Sequence, residues 1–378
     1  MKLIRTTILS LALAFGASAV LAQDLAQDTA SLSAEDYAAA VKKWRFLADQ
    51  GYADAQNSLG HMYESGKGVA EDVAEALKWY QLAADQGYAD AQNSLGDMYE
   101  NGKGVAVDDV EAAKWYQLAA EQKLADAQNS LGVMYENGKG VAENNVAAVK
   151  WYRLAARQEL TAARYNLGVM YENGKGVAVD DAEALKWYRL AAEQGYAKAQ
   201  NSLGNMYYAG KGVAEDVAEA VKWYQLAAEQ GADAQYNLGV MYENGDGVAE
   251  DDVEAVNWYR LAAEQGHADA QKKLGNMYYA AKGVAQDVGE AVKWYRLAAE
   301  QGHAKAQNSL GNIYYYGAGV LKYNVRAHMW YNIAAANGNK ISSKWRGEIA
   351  AKMTAADISE AQKMAQECMS SDYENCGW

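Results

Sequence analysis

From Ala55 onward, apolar residues fall at helical spacing. Ala55, Leu59, Met62 and Tyr63 stand at i, i+4, i+7 and i+8, one stripe of a single helix. Gly66 and Gly68 then break the pattern, as glycines do where a helix ends in positive φ. Asp72 is placed to cap a second helix, whose apolar positions are Ala76, Leu77, Trp79, Tyr80, Ala83 and Ala84. Gly87 closes it, and the pattern begins again.

The repetition is long-range. Trp-Tyr recurs every 36 residues at Trp79, Trp115, Trp151, Trp187 and Trp223, then after one step of 35 at Trp258, then at Trp294 and Trp330. A fixed period of this size predicts a stacked array in which each helix pair buries its apolar face on its neighbours. A glycine follows the helix-A leucine in every copy, from Gly60 and Gly96 to Gly311. Its helix-propensity cost of about 1 kcal/mol is best explained by a close helix crossing. The Trp of helix B is expected to fill the space between units.

The L-G-x-M-Y-x-x-G-x-G-V and A-x-x-W-Y-x-x-A-A segments together resemble the Sel1-like repeat of the tetratricopeptide-like superfamily, over residues 34 to about 338. The resemblance implies an all-α fold, a right-handed α/α superhelical solenoid of about eight 36-residue helix-turn-helix repeats with helical caps. It also implies adaptor work, with the A helices lining a concave groove that takes a protein or peptide. Some members of this family carry a β-lactamase label, which keeps a cell-wall-related hydrolase as the alternative. No Ser-x-x-Lys occurs in the sequence, so the serine penicillin-binding mechanism lacks its nucleophile motif. A third reading is a peptidoglycan or glycan binder using exposed tyrosines.

The ends depart from the repeat. Lys2 and Arg5 precede an apolar run from Ile8 to Leu21, and Val20-Leu21-Ala22 closes it with small residues. This predicts a secretory signal peptide over residues 1–22, cleaved after Ala22, and a periplasmic or secreted protein. Residues 23–33 read as a flexible linker. Residues 34–51 form a capping helix introduced by Ser33-Ala34-Glu35-Asp36, residues 52–338 the solenoid, and residues 339–378 a C-terminal helical cap. Two helices are expected in that cap, near Ile341–Met353 and Ala355–Met369. Cys368 and Cys376 are expected to pair and pin the tail, since exported proteins meet oxidising conditions. The turn at Gly231-Ala232-Asp233 lacks one residue and is expected to alter stacking locally.

Charge narrows the partner. The net charge is −14, and removing Lys2 and Arg5 with the signal takes it to −16. Such a surface repels phosphate backbones, so nucleic acid is not expected. The sharper reading of this charge is a site for basic peptides, the simpler one solubility. No later stretch is apolar enough to span a membrane, and no metal or other cofactor is expected. The Gly-x-Gly loops, such as Gly102-Lys103-Gly104, follow a helix rather than a strand, so they read as helix ends and not as phosphate cradles. Asp108-Asp109, Asp180-Asp181 and Asp251-Asp252 read as helix caps. His267 and His303 read as turn residues.

Comparing the copies with one another separates constant from variable positions. Two residues before the helix-A leucine stand Asn57, Asn93, Asn129, Tyr165, Asn201, Tyr236, Lys272 and Asn308. One residue after the glycine stand His61, Asp97, Val133, Val169, Asn205, Val240, Asn276 and Asn312. Three further on stand Glu64, Glu100, Glu136, Glu172, Tyr208, Glu243, Tyr279 and Tyr315. The spacing i, i+4, i+7 makes these one stripe, turned away from the Ala55-Leu59-Met62 stripe. The stripe is the candidate partner groove, with tyrosines supplying area plus a hydrogen bond. The competing reading is a solvated face that varies because nothing constrains it.

Overall fold

The computed structural model describes residues 34–374 and residue 376; the expected signal, linker and Ser33 lie outside them. All regular elements among the described residues are helices. Backbone packing divides the chain into two units that meet in sequence at Asp180 and Asp181.

In the first unit, α1 (Ala34–Asp49) caps three complete helix pairs: α2 (Ala53–Ser65) with α3 (Val73–Asp85), α4 (Ala89–Asn101) with α5 (Asp109–Glu121), and α6 (Ala125–Asn137) with α7 (Asn145–Arg157). It ends with α8 (Thr161–Asn173). The second unit opens with α9 (Asp181–Ala192) and continues as four pairs. These are α10 (Ala197–Ala209) with α11 (Val217–Ala228), α12 (Ala232–Asn244) with α13 (Asp252–Glu264), α14 (Ala268–Ala280) with α15 (Val288–Glu300), and α16 (Ala304–Tyr316) with α17 (Asn324–Ala336). The cap helices α18 (Lys340–Ala350) and α19 (Ala355–Ser370) follow.

Helix boundaries follow the local chemistry. Asp72, Asp108 and Asp251 accept hydrogen bonds from backbone N–H groups of the first turn of α3, α5 and α13, satisfying donors a helix start leaves open. His267 and His303 play the same part for α14 and α16 through their ring nitrogen Nδ1, 3.1 Å from the Ala270 and Ala306 N–H groups. The A helices end on a left-handed residue such as Gly138, at φ 66°. The second glycine of the loop does further work. A Cβ on Gly140 would stand 1.9 Å from the Asp109 carbonyl oxygen, so this loop lies directly on the backbone of the preceding helix B.

The glycine after the helix-A leucine has a different cause from the one expected. A Cβ on Gly132 would meet the Tyr152 ring at 2.6 Å, and one on Gly96 the Tyr116 ring at 2.5 Å. The missing side chain admits a tyrosine ring from helix B of the same repeat, and at Gly275 also the helix-B backbone, the Ala291 carbonyl oxygen standing 3.2 Å from such a Cβ. Tyr80, Tyr116, Tyr152 and Tyr259 are fully buried, whereas Trp79, Trp115 and Trp151 are half-buried beside the core clusters. Tyrosine fills the inside of its own repeat, while the tryptophans pack beside clusters that join neighbouring repeats, Trp294 and Trp330 being buried there.

A buried glutamine joins consecutive repeats. Gln128, 2% exposed, donates from Nε2 to the Ala120 carbonyl at the end of α5 and accepts from Gln158 Nε2 at 2.9 Å. Gln271 does the same with Ala263 and Gln301. These bonds satisfy carbonyls that a helix end leaves open.

The short turn at Gly231 is absorbed locally. Gly231 stands where the other repeats place Tyr, Leu or His, and its N–H bonds to the Ala227 carbonyl at 2.9 Å. Beyond it, Gln235 still reaches Ala228, and Gly239 still receives the Tyr259 ring. The stacking contacts thus survive the deletion. An open pocket of about 420 Å³ lies at this turn, lined by Tyr196, Lys198, Asn201, Gln230 and Gly231. At the C-terminus, Cys368 and Cys376 form a disulfide, and α19 covers Ile333, which is fully buried.

Candidate functional site

The glycine-lodged tyrosine carries its hydroxyl through helix A to the candidate stripe. Tyr80 Oη lies 2.7 Å from His61 Nδ1 and donates to Glu64 at 2.8 Å. Tyr116 Oη stands 2.6 Å from Asp97 and 2.9 Å from Glu100. Tyr152 donates to Glu136 at 2.9 Å, and Tyr259 donates to Glu243. Where the stripe carries an amide, Tyr224, Tyr295 and Tyr331 donate to Asn205, Asn276 and Asn312 at 2.7, 2.9 and 2.8 Å. Burial and then the adjacent carboxylates push the Tyr80, Tyr116 and Tyr152 hydroxyls well above the ordinary phenol range, so they remain donors.

The electrostatics differ from repeat to repeat. Burial alone would push the Glu64 carboxyl up, but hydrogen bonds from Tyr80 and Lys103, with the charges of Lys103 and His61, outweigh it and lower its pKa. Glu243 is lowered in the same way, burial being outweighed chiefly by Lys273 and Tyr259. Asp97 goes the other way. Burial and the nearby charges of Glu100 and Glu64 raise it, despite the bond from Tyr116. One hydroxyl proton there faces two carboxylates, and it cannot be donated fully to both.

A second link ties the stripe to the following repeat. The loop lysines Lys103 and Lys175 pair with Glu64 and Glu136 at 3.1 Å, and Lys139 with Glu100 at 3.9 Å. Where the glutamate gives way to Tyr208, the next loop carries Asp246 in place of lysine, and Tyr208 Oη donates to it at 3.3 Å. Part of the variation along the stripe is therefore matched between neighbours rather than unconstrained.

The remaining expected residues have distinct settings. Tyr165 and Glu172 lie half-buried on α8. Tyr236 stacks on His267 with centroids 4.8 Å apart. Lys272 is half-buried, its pKa lowered by burial and by neighbouring Lys273 and Lys305. Tyr279 stands 41% exposed. Tyr315 is taken up by the cap: its hydroxyl accepts from Lys352 at 2.8 Å, and its ring lies near Trp345 and 5.3 Å from each of the Lys322 and Lys352 ammonium groups. The sequence reading missed the helix-B tyrosine hydroxyls and the loop lysines; the constant Trp-Tyr and the lysine present in six of the eight loops were the available signal.

No group of three or more His, Cys, Asp or Glu among the described residues is placed to hold a metal ion. No described helix is long and apolar enough to cross a membrane.

The family described as Sel1 repeat matches eight consecutive segments: 53–88, 89–124, 125–160, 161–196, 197–231, 232–267, 268–303 and 304–339. A solved Sel1 repeat protein from Oxalobacter formigenes is 35% identical, with 82% of this chain and 90% of that chain covered and a TM-score of 0.65. Protein c5321, described as a protective antigen present in uropathogenic Escherichia coli strains displaying an SLR fold, is 36% identical. There 89% of this chain and 81% of that chain are covered, with a TM-score of 0.51. No curated protein matches the chain.

Proposed function

Because the chain belongs to the Sel1 repeat family, whose members are generally protein-interaction scaffolds, we propose that it is an exported, non-catalytic adaptor that takes a polypeptide partner on the A-helix stripe. One observation carries this reading. In the seven repeats that lie wholly within one unit, a constant Gly–Tyr lock brings a hydroxyl to the same point of helix A, while the residues around that point change. A constant scaffold presenting varied polar contacts is the arrangement of adaptable binding surfaces.

The B-helix face offers a weaker alternative. Leu82 and Leu118 are exposed in the first unit, and Leu226, Leu261 and Leu297 in the second. Where that face is covered, in α17, lysine and leucine become fully buried Met329 and Ile333. Six of the other seven repeats keep lysine and leucine there, as in Lys78 and Leu82, and the seventh carries Asn257 and Leu261; a polar residue at this point in each marks a face built for water.

The test compares the double variant Glu136→Lys, Glu172→Lys with the double variant Leu82→Glu, Leu118→Glu against a partner recovered by cross-linking in the native compartment. Loss of capture by at least tenfold in the first pair alone is expected. Loss in the second pair alone would overturn the assignment. Hydrolysis of nitrocefin above the buffer rate by purified protein would overturn the non-catalytic reading. Export is checked by an extracytoplasmic mature chain that begins at Gln23.

A further inference from the structure

We propose that the pocket between α14 and α16 is a saccharide site, taking one neutral, hydroxyl-rich ring that bears an acetamido group. The pocket has a volume of about 270 Å³ and is lined by Asn276, Tyr279, Tyr295, Ser309, Asn312 and Tyr316. Ile313 forms the remainder of its wall. That volume lies below the roughly 300 Å³ at which drug-sized sites begin, which is the scale of a sugar unit rather than of a folded segment.

The lining chemistry selects the class. No charged side chain lines the pocket, although the chain carries −14 overall. An anion would find no cation there, and a cation no carboxylate. An apolar ligand would bury amide and hydroxyl groups without partners, which costs about 1–3 kcal/mol for each group left unpaired.

The hydrogen-bonding sites are specific. The Oδ1 atoms of Asn276 and Asn312 already accept from Tyr295 and Tyr331, at 2.9 and 2.8 Å. Their Nδ2 groups have no partner among the described residues, so two amide donors one repeat apart face the pocket. Ser309 Oγ donates to the Lys305 carbonyl at 3.1 Å and lies in hydrogen-bond contact with the Tyr295 hydroxyl, a second polar point on the wall. Tyr279 and Tyr316 are 41% and 61% exposed, and their hydroxyls can donate or accept. Sugar hydroxyls meet both kinds of group, an acetamide carbonyl suits the Asn donors, and the C–H face of a pyranose suits a phenol ring.

The residue pattern is confined to one place. Asn276 and Asn312 are the one case in which neighbouring repeats both carry asparagine one residue after the glycine. Tyr316 replaces Ser65, Asn101, Asn137, Asn173, Ala209, Asn244 and Ala280 of the other repeats.

The proposal is independent of polypeptide docking at Glu136 and Glu172, and its test is separable from that one. N,N′-diacetylchitobiose is titrated by calorimetry into the mature chain, beside a neutral Gly-Ser-Ala peptide. Saturable sugar binding is expected, weakened at least tenfold by Tyr316→Ala and by Asn276→Asp, with one cooperative thermal transition kept in both variants and only a small drop in midpoint for Asn276→Asp. Both substitutions place residues that other repeats carry at the same position, Ala280 and Asp97, so the fold is expected to persist. No saturable sugar binding, binding undiminished in both variants, or saturation by the peptide alone would each overturn the proposal.

Discussion

The stripe on α4 and the stripe on α14 share one construction and end in opposite chemistry. In both, a glycine (Gly96, Gly275) admits a tyrosine ring (Tyr116, Tyr295) whose hydroxyl emerges at the residue after the glycine. On α4 that hydroxyl meets Asp97 and Glu100, which compete for its proton and leave Asp97 with a raised pKa. On α14 it meets the oxygen of Asn276, which accepts it and leaves an amide donor for use elsewhere. The stack fixes where a polar atom reaches the surface. A single stripe residue decides whether that atom is used up internally or leaves a group pointing outward.

The shared part gives the largest expected effect. Gly96→Ala and Gly275→Ala put a Cβ 2.5 and 2.7 Å from their tyrosine rings, and each should destabilise by about 2–3 kcal/mol in urea unfolding. A loss below 1 kcal/mol in either would show that the ring moves aside cheaply and that the lock is not common to both regions.

Removing the hydroxyl should separate the two regions. Tyr116→Phe takes the donor from a crowded, partly buried carboxylate pair and should cost about 1–2 kcal/mol. Tyr295→Phe frees only a neutral amide oxygen and should cost about 0.5–1 kcal/mol. Equal losses in thermal unfolding would erase the distinction.

The smallest effect converts one region into the other. Asp97→Asn gives α4 the residue of α14 and should raise stability at pH 7 by about 0.5 kcal/mol, since the amide oxygen accepts from Tyr116 without a buried charge. A folded pKa raised above the unfolded value means that folding favours protonated Asp97, so the wild type gains from this group as pH falls through the folded pKa. The advantage of the variant should therefore narrow toward acid pH. Glu64, with its lowered pKa, contributes stability above its unfolded pKa and loses it as pH falls in both proteins, and its protonation also relieves its repulsion of Asp97, which narrows the gap in the same direction. A gap in melting temperature that widens between pH 7 and pH 4 would contradict the assignment.

Much of this architecture is legible in the sequence because period, glycine and cap residue all point to the same helix ends. Asp72 and Asp108 cap as their positions imply, and α18 and α19 fall within a few residues of the expected spans. The Gly–Tyr lock was not legible. Trp79 and Tyr80 are adjacent and about 100° apart around the helix, and pattern alone does not say which ring points into its own repeat. The larger ring reads as the natural filler, yet Tyr80 has the deeper place because its hydroxyl can emerge on the far side. The glutamine ladder was hidden for a related reason. Gln128 carries no signal of burial in the pattern, and its burial is offset by one bond to the preceding repeat and one to Gln158 of its own. The position of the stripe could be read from differences between copies. The Tyr208–Asp246 match could not, because its partners lie 38 residues apart in different repeats.

The tyrosine bond closes within one repeat, whereas the lysine bond crosses to the next. Duplication or loss of a whole unit therefore leaves every tyrosine satisfied, but it reassigns the crossing partners. Early units, with Glu64, Glu100 and Glu136 each meeting a loop lysine, can be exchanged as interchangeable modules. The copy holding Tyr208 cannot move without the copy holding Asp246, for a transplanted Asp246 would face a glutamate. A gene that lengthens or shortens by recombination would thus be free to do so in its first half, while that one junction is inherited as a pair.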